Sequence, residues 1–393
     1  MSWIHRDAEQ RISRLAASFP AVLLTGPRQS GKSSLLRRMF PDAEYITFDD
    51  PFEVLRAEGS PKDFVSRLSA RAILDEVQYV PAIFRYLKMA IDQDRFNGRF
   101  LLTGSQSFHL ARLGSESLAG RLGIMELSPL GASELRNAQN EAPLEEMLFK
   151  GGFPEIWSGD AAPTDWYPAY VSTYLQRDLR ALSQVADLTA FSRFLRALAL
   201  RTASLLNYAD LSRDVGISPN TAKHWTSLLV SSGVASPVEG WSANPTSRLV
   251  KTPKIYFNDS GLLCALLGFR SARAMLESPL FGAVWETWCF AQIRTWLLNR
   301  GRLSGNLHYW RTKDGKEVDF LFEEDRIVYA LECKAKEIPD AADAQGIALL
   351  RRSFEDREVL AAILCRSPRF APDAPGLHAS LDDGSRLDRI FKE

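Results

Sequence analysis

Residues 24–34, Leu-Thr-Gly-Pro-Arg-Gln-Ser-Gly-Lys-Ser-Ser, constrain this chain more than any other stretch. Gly26, Gly31, Lys32 and Ser33 match glycine, four residues, then Gly-Lys-Ser. The apolar run Ala21-Val22-Leu23-Leu24 before them predicts a buried strand. Ser34-Leu35-Leu36-Arg37-Arg38-Met39 after them predicts the start of a helix. Glycines let the backbone curl until successive N–H groups point into one cavity, and the helix N-terminus adds partial positive charge there. Such a loop cradles phosphate groups with Gly26, Pro27, Arg28, Gln29, Ser30, Gly31, Lys32, Ser33 and Ser34. Lys32 can reach the β- and γ-phosphates, and the Ser33 hydroxyl can hold Mg²⁺. The alternative, a Gly/Ser-rich turn that binds nothing, does not explain the strand and helix on either side.

At 393 residues the chain is too long for one compact core, so two or three domains are expected. Apolar residues make up 46% and charged residues 24%, an ordinary globular balance. The formal net charge is zero, so any nucleic-acid contact must be local. Cys264, Cys289, Cys333 and Cys365 are widely spaced, which argues against a zinc site and a disulfide framework. The N-terminus lacks a signal-peptide core, and no apolar run approaches the ~18 residues that span a bilayer. A soluble cytoplasmic protein without a membrane partner is expected.

Carboxylates follow at the right place. Arg71-Ala72-Ile73-Leu74-Asp75-Glu76 predicts an apolar strand ending in two acids, the pattern called Walker B. Asp75 can hold Mg²⁺ through water, and Glu76 can polarise an attacking water. A third strand, Arg99–Ser105, ends in small polar residues. In this class of ATPase a polar group there senses the γ-phosphate. Ser105 is the candidate, with Thr103 and Gln106 behind it, and an ordinary polar turn is the alternative for each. Arg121 precedes a probable strand at Leu122–Leu127. An arginine there can serve a neighbouring subunit as a finger, or it can be a solvated surface residue.

Phosphate loop, Leu-Asp-Glu-Val-Gln, Leu-Thr-Gly-Ser and Leu-Ala-Gly-Arg, in that order, resemble an AAA+-type ATPase of the AAA_14 group. Chains of that group often carry a C-terminal DUF4143 domain. Gly-Gly-Phe-Pro-Glu (151–155), Thr-Tyr-Leu-Gln-Arg-Asp-Leu (173–179) and Arg-Thr…Glu-Val-Asp-Phe (311–320) are similar to that second part. The resemblance implies binding of ATP with Mg²⁺.

The middle of the chain predicts helices over 131–150 and 166–200, the second with Arg177, Arg180, Arg193, Arg196 and Arg201 near it. One of these arginines could approach the nucleotide from a lid. Tyr208–Ser218 followed by Pro219–Leu229 has helix-turn-helix patterning. A strand pair near 234–238 and 253–257 could form a wing. Asn220, Thr221, Lys223 and His224 are then candidate DNA contacts, or the module serves packing and oligomer contact.

From 282 the order helix, three strands, helix, strand is expected. Strand residues two apart share a face, so Glu332 and Lys334 project together. With Asp319 one strand over and Glu286 on the helix, three acids and a lysine can hold Mg²⁺ or Mn²⁺ and activate water. This is similar to the PD-(D/E)xK nucleases, with Val318 where a proline is common. The resemblance implies metal at Glu286, Asp319 and Glu332, and a catalytic Lys334. The alternative is a set of ion-paired charges on a small sheet with no cleavage.

The expected class is therefore α/β. Residues 1–130 form a P-loop ATPase domain with a parallel sheet, 131–200 a helical lid and 201–270 a winged-helix-like part. Residues 271–393 form a restriction-endonuclease-like α/β domain. Two functions fit. One couples Mg-dependent ATP hydrolysis to a nucleic-acid-directed nuclease-like module, with DNA and a homo-oligomer as partners. The other is a nucleotide-dependent binding or oligomerisation switch with a non-cleaving C-terminal domain.

Overall fold

Strands β1 (Ala21–Thr25), β2 (Glu44–Thr47), β3 (Ala72–Asp75), β4 (Phe100–Gly104) and β5 (Leu122–Glu126) form one parallel sheet in the order β2-β3-β4-β1-β5. In this computed structural model the described residues are 3–105, 114, 117–138, 141–159, 161–175, 187–242, 252–302, 306–354, 356–366, 377–379 and 385–391. All five residues of β1 are buried. The alternation of side chains explains why a strand can be apolar throughout. Ala21 and Leu23 enter a core with Phe48, Phe64, Leu87 and Ile91 on one side. Val22 and Leu24 enter a second core with Ile12, Leu35 and Leu36 on the other. Ile73 and Leu101 join the second core, while Leu74 and Leu102 join the first. Two helical layers thus cover the sheet, and the strand tips are left for chemistry.

The second sheet has eight strands in the order β13-β12-β11-β10-β9-β7-β8-β6. These are β6 (Ser204–Leu205), β7 (Ala235–Gly240), β8 (Lys254–Phe257), β9 (His308–Arg311), β10 (Glu317–Glu324), β11 (Ile327–Cys333), β12 (Glu358–Leu364) and β13 (Leu377–Ala379). The long helix Phe281–Arg300 and the helix Gln345–Ser353 accompany it. On β10, Phe320 and Phe322 join a large core that includes Trp285 and Trp288 of the long helix. Val318 and Leu321 join a smaller core with Ile347 and Leu350. The order of elements expected from 282 onward is present. Gly315, at φ 83°, makes the tight turn between β9 and β10.

Helices Tyr208–Val215 and Pro219–Ser231 form the helix-turn-helix, with Gly216 at φ 79° in the turn. The Ser218 hydroxyl accepts from the Thr221 N–H at 3.0 Å and caps the second helix. The strand pair expected as a wing does form, as β7 and β8, antiparallel from Ala235↔Phe257. It does not project freely. β7 also pairs in parallel with β9 through Glu239↔His308, so the pair is built into the C-terminal sheet. Phe191, Phe194 and Trp225 of the middle share the large core with Trp285 and Phe320. In the lid region, helices span Pro163–Tyr170 and Leu188–Ala199. Arg177 and Arg180 lie outside the described residues.

Candidate nucleotide site and acidic cluster

The phosphate loop leaves β1 at Thr25 and enters the helix Lys32–Met39. Gly26 has φ 138°, and a Cβ there would stand 2.3 Å from the Leu127 carbonyl oxygen. Only glycine fits, because the loop passes against the exit of β5. Gly31 has φ 91° and Gln29 φ 61°, so the loop turns on left-handed residues. Lys32 is buried and its Nζ donates to the Gly26 oxygen at 3.0 Å and the Pro27 oxygen at 2.8 Å. Burial pushes its amine down to about 8, with the Glu76 and Asp75 carboxylates acting against that.

Asp75 sits at the tip of β3, beneath the loop. Its Oδ1 accepts from the Ser33 hydroxyl at 2.6 Å and also from Thr103. Its Oδ2 accepts from the Tyr45 hydroxyl at 2.8 Å. Serine and aspartate oxygens side by side form a hard-donor pair that fits Mg²⁺. Glu76 follows at φ 57°, and its N–H donates to Thr103 Oγ1 at 3.2 Å. Gln78 donates its amide to the Glu76 carboxylate and to Ser105 Oγ at 3.4 Å. Arg28 donates to the Tyr79 hydroxyl at 2.8 Å. A pocket of about 560 Å³ opens beside the loop, lined by Trp3, Ile4, Gln29, Gly31, Ser34 and Pro154 among others.

Arg121 is placed at the start of β5, where its backbone oxygen accepts from the Ala21 N–H at 3.0 Å. Because β1 and β5 run parallel, this is the sheet edge opposite the phosphate loop, about 13 Å away at the usual strand rise. Its guanidinium donates to Asp92 at 2.7 Å. It is therefore set apart from its own chain's loop. Of the sensor candidates, Thr103 lies under Asp75, Ser105 meets Gln78, and Gln106 falls outside the described residues.

The C-terminal acids do converge, around an unexpected cation. Lys254, from β8, places Nζ 3.1 Å from Glu286 Oε1, 3.2 Å from Asp319 Oδ1 and 3.4 Å from Glu317 Oε1. Tyr256, two residues along β8, donates its hydroxyl to Glu286 Oε1 at 2.6 Å. Asp319 Oδ2 accepts the Cys333 N–H at 2.9 Å. Lys334 pairs with Glu332 Oε1 at 2.6 Å, while Glu332 Oε2 is buried without a partner among the described residues. Burial first, and then Asp319, raise the carboxyls of both Glu286 and Glu332. Burial alone would lower the Lys254 amine, yet Glu286, Asp319 and Glu317 outweigh it and hold it raised. With Lys254 among them, the oxygens of Glu286 and Asp319 do not fit the Mg²⁺ or Mn²⁺ expected there.

Residues 18–136 match the model of an AAA domain, AAA_14. Residues 141–273 and 281–372 match two domains of unknown function, DUF8612 and DUF4143. Uncharacterized protein Rv2008c of Mycobacterium tuberculosis is 33% identical over 351 residues, covering 88% of this chain and 77% of that protein. Uncharacterized protein Mb2031c of Mycobacterium bovis matches to the same extent. The chain belongs to this AAA_14–DUF4143 family. Among solved structures, the Walker-type ATPase paby2304 of Pyrococcus abyssi has TM-score 0.44 and 16% identity, covering 67% of this chain and 96% of that one. Thermotoga maritima RuvB has TM-score 0.31 and 17% identity, covering 58% and 88%.

This AAA_14–DUF4143 protein thus carries a P-loop ATPase domain at its N-terminal end. Among the described residues, no helix is long and apolar enough to cross a membrane. Tyr45, Gln78, Lys254 and Tyr256 were not among the expected site residues. Gln78 stands within Leu-Asp-Glu-Val-Gln, two residues after Glu76, so its nearness was available in the motif. Lys254 lies 65 residues before Asp319, and no local pattern connects them. On the helix Pro219–Ser231, Asn220, Lys223 and His224 are exposed and Thr221 is half-buried.

Proposed function

We propose that this protein is a nucleotide-dependent switch. Its N-terminal domain binds and hydrolyses Mg-ATP, and its nucleotide state is passed to the shared middle and C-terminal core. The observation that carries the hydrolysis part is the 2.6 Å bond between Ser33 and Asp75 under a loop that only glycine can form at Gly26. Bound ATP and Mg²⁺ supply the phosphoryl chemistry. Lys32, now satisfied by two loop carbonyls, is the buried cation that phosphate oxygens would draw away from them. Asp75 and Ser33 hold the metal's shell, with Tyr45 and Thr103 fixing the carboxylate. Glu76 takes a proton from water once Gln78 gives up its carboxylate. Ser105 registers the γ-phosphate through Gln78, a reading supported by their 3.4 Å contact.

Two links support the switch. Arg294, on the long helix, pairs with Glu126 at 2.8 Å at the end of β5. Glu286 lies eight residues earlier on the same helix, about 12 Å along its axis. Gly233, before β7, packs so closely that a Cβ there would come within 3.2 Å of Pro27 in the phosphate loop. Its carbonyl accepts from Asn258 at 2.9 Å, next to β8. The experiment compares wild type, Lys32→Ala and Glu76→Gln for ATP binding, hydrolysis and hydrogen exchange at Val234 and Asn258. Lys32→Ala should lose binding. Glu76→Gln should bind but turn over about 10²–10⁴-fold more slowly. Equal turnover in Glu76→Gln and wild type removes Glu76 from its role. Exchange that ignores Mg-ATP removes the switch.

The second reading is metal-dependent phosphodiester cleavage of DNA by the C-terminal domain. It is favoured by the approach of Lys334 to Glu332 beside Asp319, and opposed by Lys254. A Mn²⁺ cleavage assay on single-stranded, duplex and branched DNA and on RNA tests it, and no cleavage of any of them ends it.

A further inference from the structure

The acidic cluster has more negative charge than a dry interior tolerates. Glu286, Asp319 and Glu332 are at most 16% exposed at their side chains, and Asp319 and Glu332 only about 5–6%. Carboxylates packed this closely repel, and an uncompensated buried charge costs several kcal/mol, on the order of 3–5. A cation among them, or a proton on a raised carboxyl, offsets this. Enzymes of many kinds use a divalent ion for this. Here the cation is a side chain, and it comes from another part of the chain. Lys254 is 3% exposed, with its ammonium held by three carboxylates on two elements, the long helix and β10. Tyr256, from the same strand, completes the shell of Glu286. The pairing of β10 with β9 shifts register between Val318 and Leu321, the stretch that holds Asp319. That is where a strand bends to re-aim a side chain. One acceptor remains unused. Among the described residues Glu332 Oε2 is buried with no donor, although Lys334, just past the end of the strand, holds Oε1. An orphaned, buried carboxylate oxygen beside two other acids is one valence of a cation site left over.

We infer that Glu286, Glu317 and Asp319, with Glu332 alongside, form a cation site that Lys254 fills, an intramolecular cation that also pins β8 to the C-terminal core. The inference is independent of ATP hydrolysis and stands whether or not the switch reading does. It accounts for a buried lysine that arrives from a strand far from these acids in sequence. It also assigns the two lysines different work. Lys334 neutralises Glu332 two residues away, while Lys254 bridges elements far apart in the chain. Replacing Lys254 with an uncharged residue of similar length leaves the carboxylates facing each other. They should then accept a hard divalent ion, for which an all-oxygen donor set is suited.

The test is run without nucleotide on the full chain carrying Asp75→Asn, which removes a carboxylate of the N-terminal metal site. Mn²⁺ binding is followed by electron paramagnetic resonance and by thermal melting, with EDTA as the reference. With Lys254 present, Mn²⁺ and EDTA should give the same melting midpoint, and no tightly bound Mn²⁺ should report on the cluster. Lys254→Met should melt several degrees lower in EDTA, bind Mn²⁺, and recover most of the loss when Mn²⁺ is added. Adding Asp319→Asn to Lys254→Met should abolish that gain. Lys254→Arg should behave as the parent. The inference is overturned if the parent binds Mn²⁺ in a way that Asp319→Asn removes, or if folded Lys254→Met gains no Mn²⁺ binding. If Lys254→Met does not fold in EDTA, refolding it with Mn²⁺ decides: rescue supports the site, and failure of rescue counts against it.

Discussion

Arg6 and Glu134 are both almost fully buried, and they hold the nucleotide loop from behind. Arg6 Nε donates to Glu134 Oε1 at 2.9 Å, and its Nη1 donates to the Ser30 carbonyl at 2.8 Å inside the loop. Glu134 also accepts the Gly131 N–H at 2.7 Å and the Asp7 N–H at 2.8 Å. Burial raises its carboxyl, and Arg6 opposes this. Removing one member leaves an unpaired buried charge. Glu134→Ala should therefore cost about 3–5 kcal/mol, read by denaturant unfolding, and should weaken nucleotide binding without contacting nucleotide. Gly26→Ala should lose nucleotide binding outright, since its methyl meets the Leu127 backbone at 2.3 Å and φ is 138°. A fluorescent ADP titration checks this, and ordinary affinity in that variant would show that the loop can relax.

At the scale of elements, the turn between helix Pro219–Ser231 and β7 is the short route from the loop to the C-terminal sheet. Gly233 has φ 69° and no room toward Pro27 or Glu126. Gly233→Val should displace Pro27. We expect nucleotide affinity to fall by about tenfold or more, equivalent to about 1.4 kcal/mol. Val230→Ala, in the last turn of the same helix and half-buried, should change affinity little. Isothermal titration of both variants separates a specific contact from general loosening of the helix.

At the scale of the whole molecule, the middle and C-terminal parts cannot be separated as free modules. One core runs from Phe149 through Phe194 and Trp225 to Phe320 and Phe391. Motion is thus more easily placed between the ATPase sheet and this shared core than within the core. Arg121 lies on the sheet edge away from its own phosphate loop, so a finger role requires a second chain. If it acts so, turnover per chain should rise with concentration. Mixing Arg121→Ala with Lys32→Ala chains should restore part, not all, of the rate. Concentration-independent turnover in a monomer would leave Arg121 the structural role of bonding Asp92 and the Ala119 carbonyl.

The phosphate loop, the strand of Asp75 and Glu76 and the strand of Asp319 were legible because each is local. A glycine pattern, an apolar run and a period of two depend only on neighbours in sequence. So do the helix-turn-helix and its cap at Ser218. The convergence of Asp319 with Glu332 was also readable, because a hairpin sets strands side by side. The tertiary structure alone decided that β7 and β8 belong to the C-terminal sheet, since pairing of β7 with β9 joins residues 239 and 308. It alone brought Lys254 to Glu286 and Asp319. Sequence shows which residues carry charge and which strand they ride on. It does not show which distant strand fills the space between them, because that depends on how separate elements close into one core.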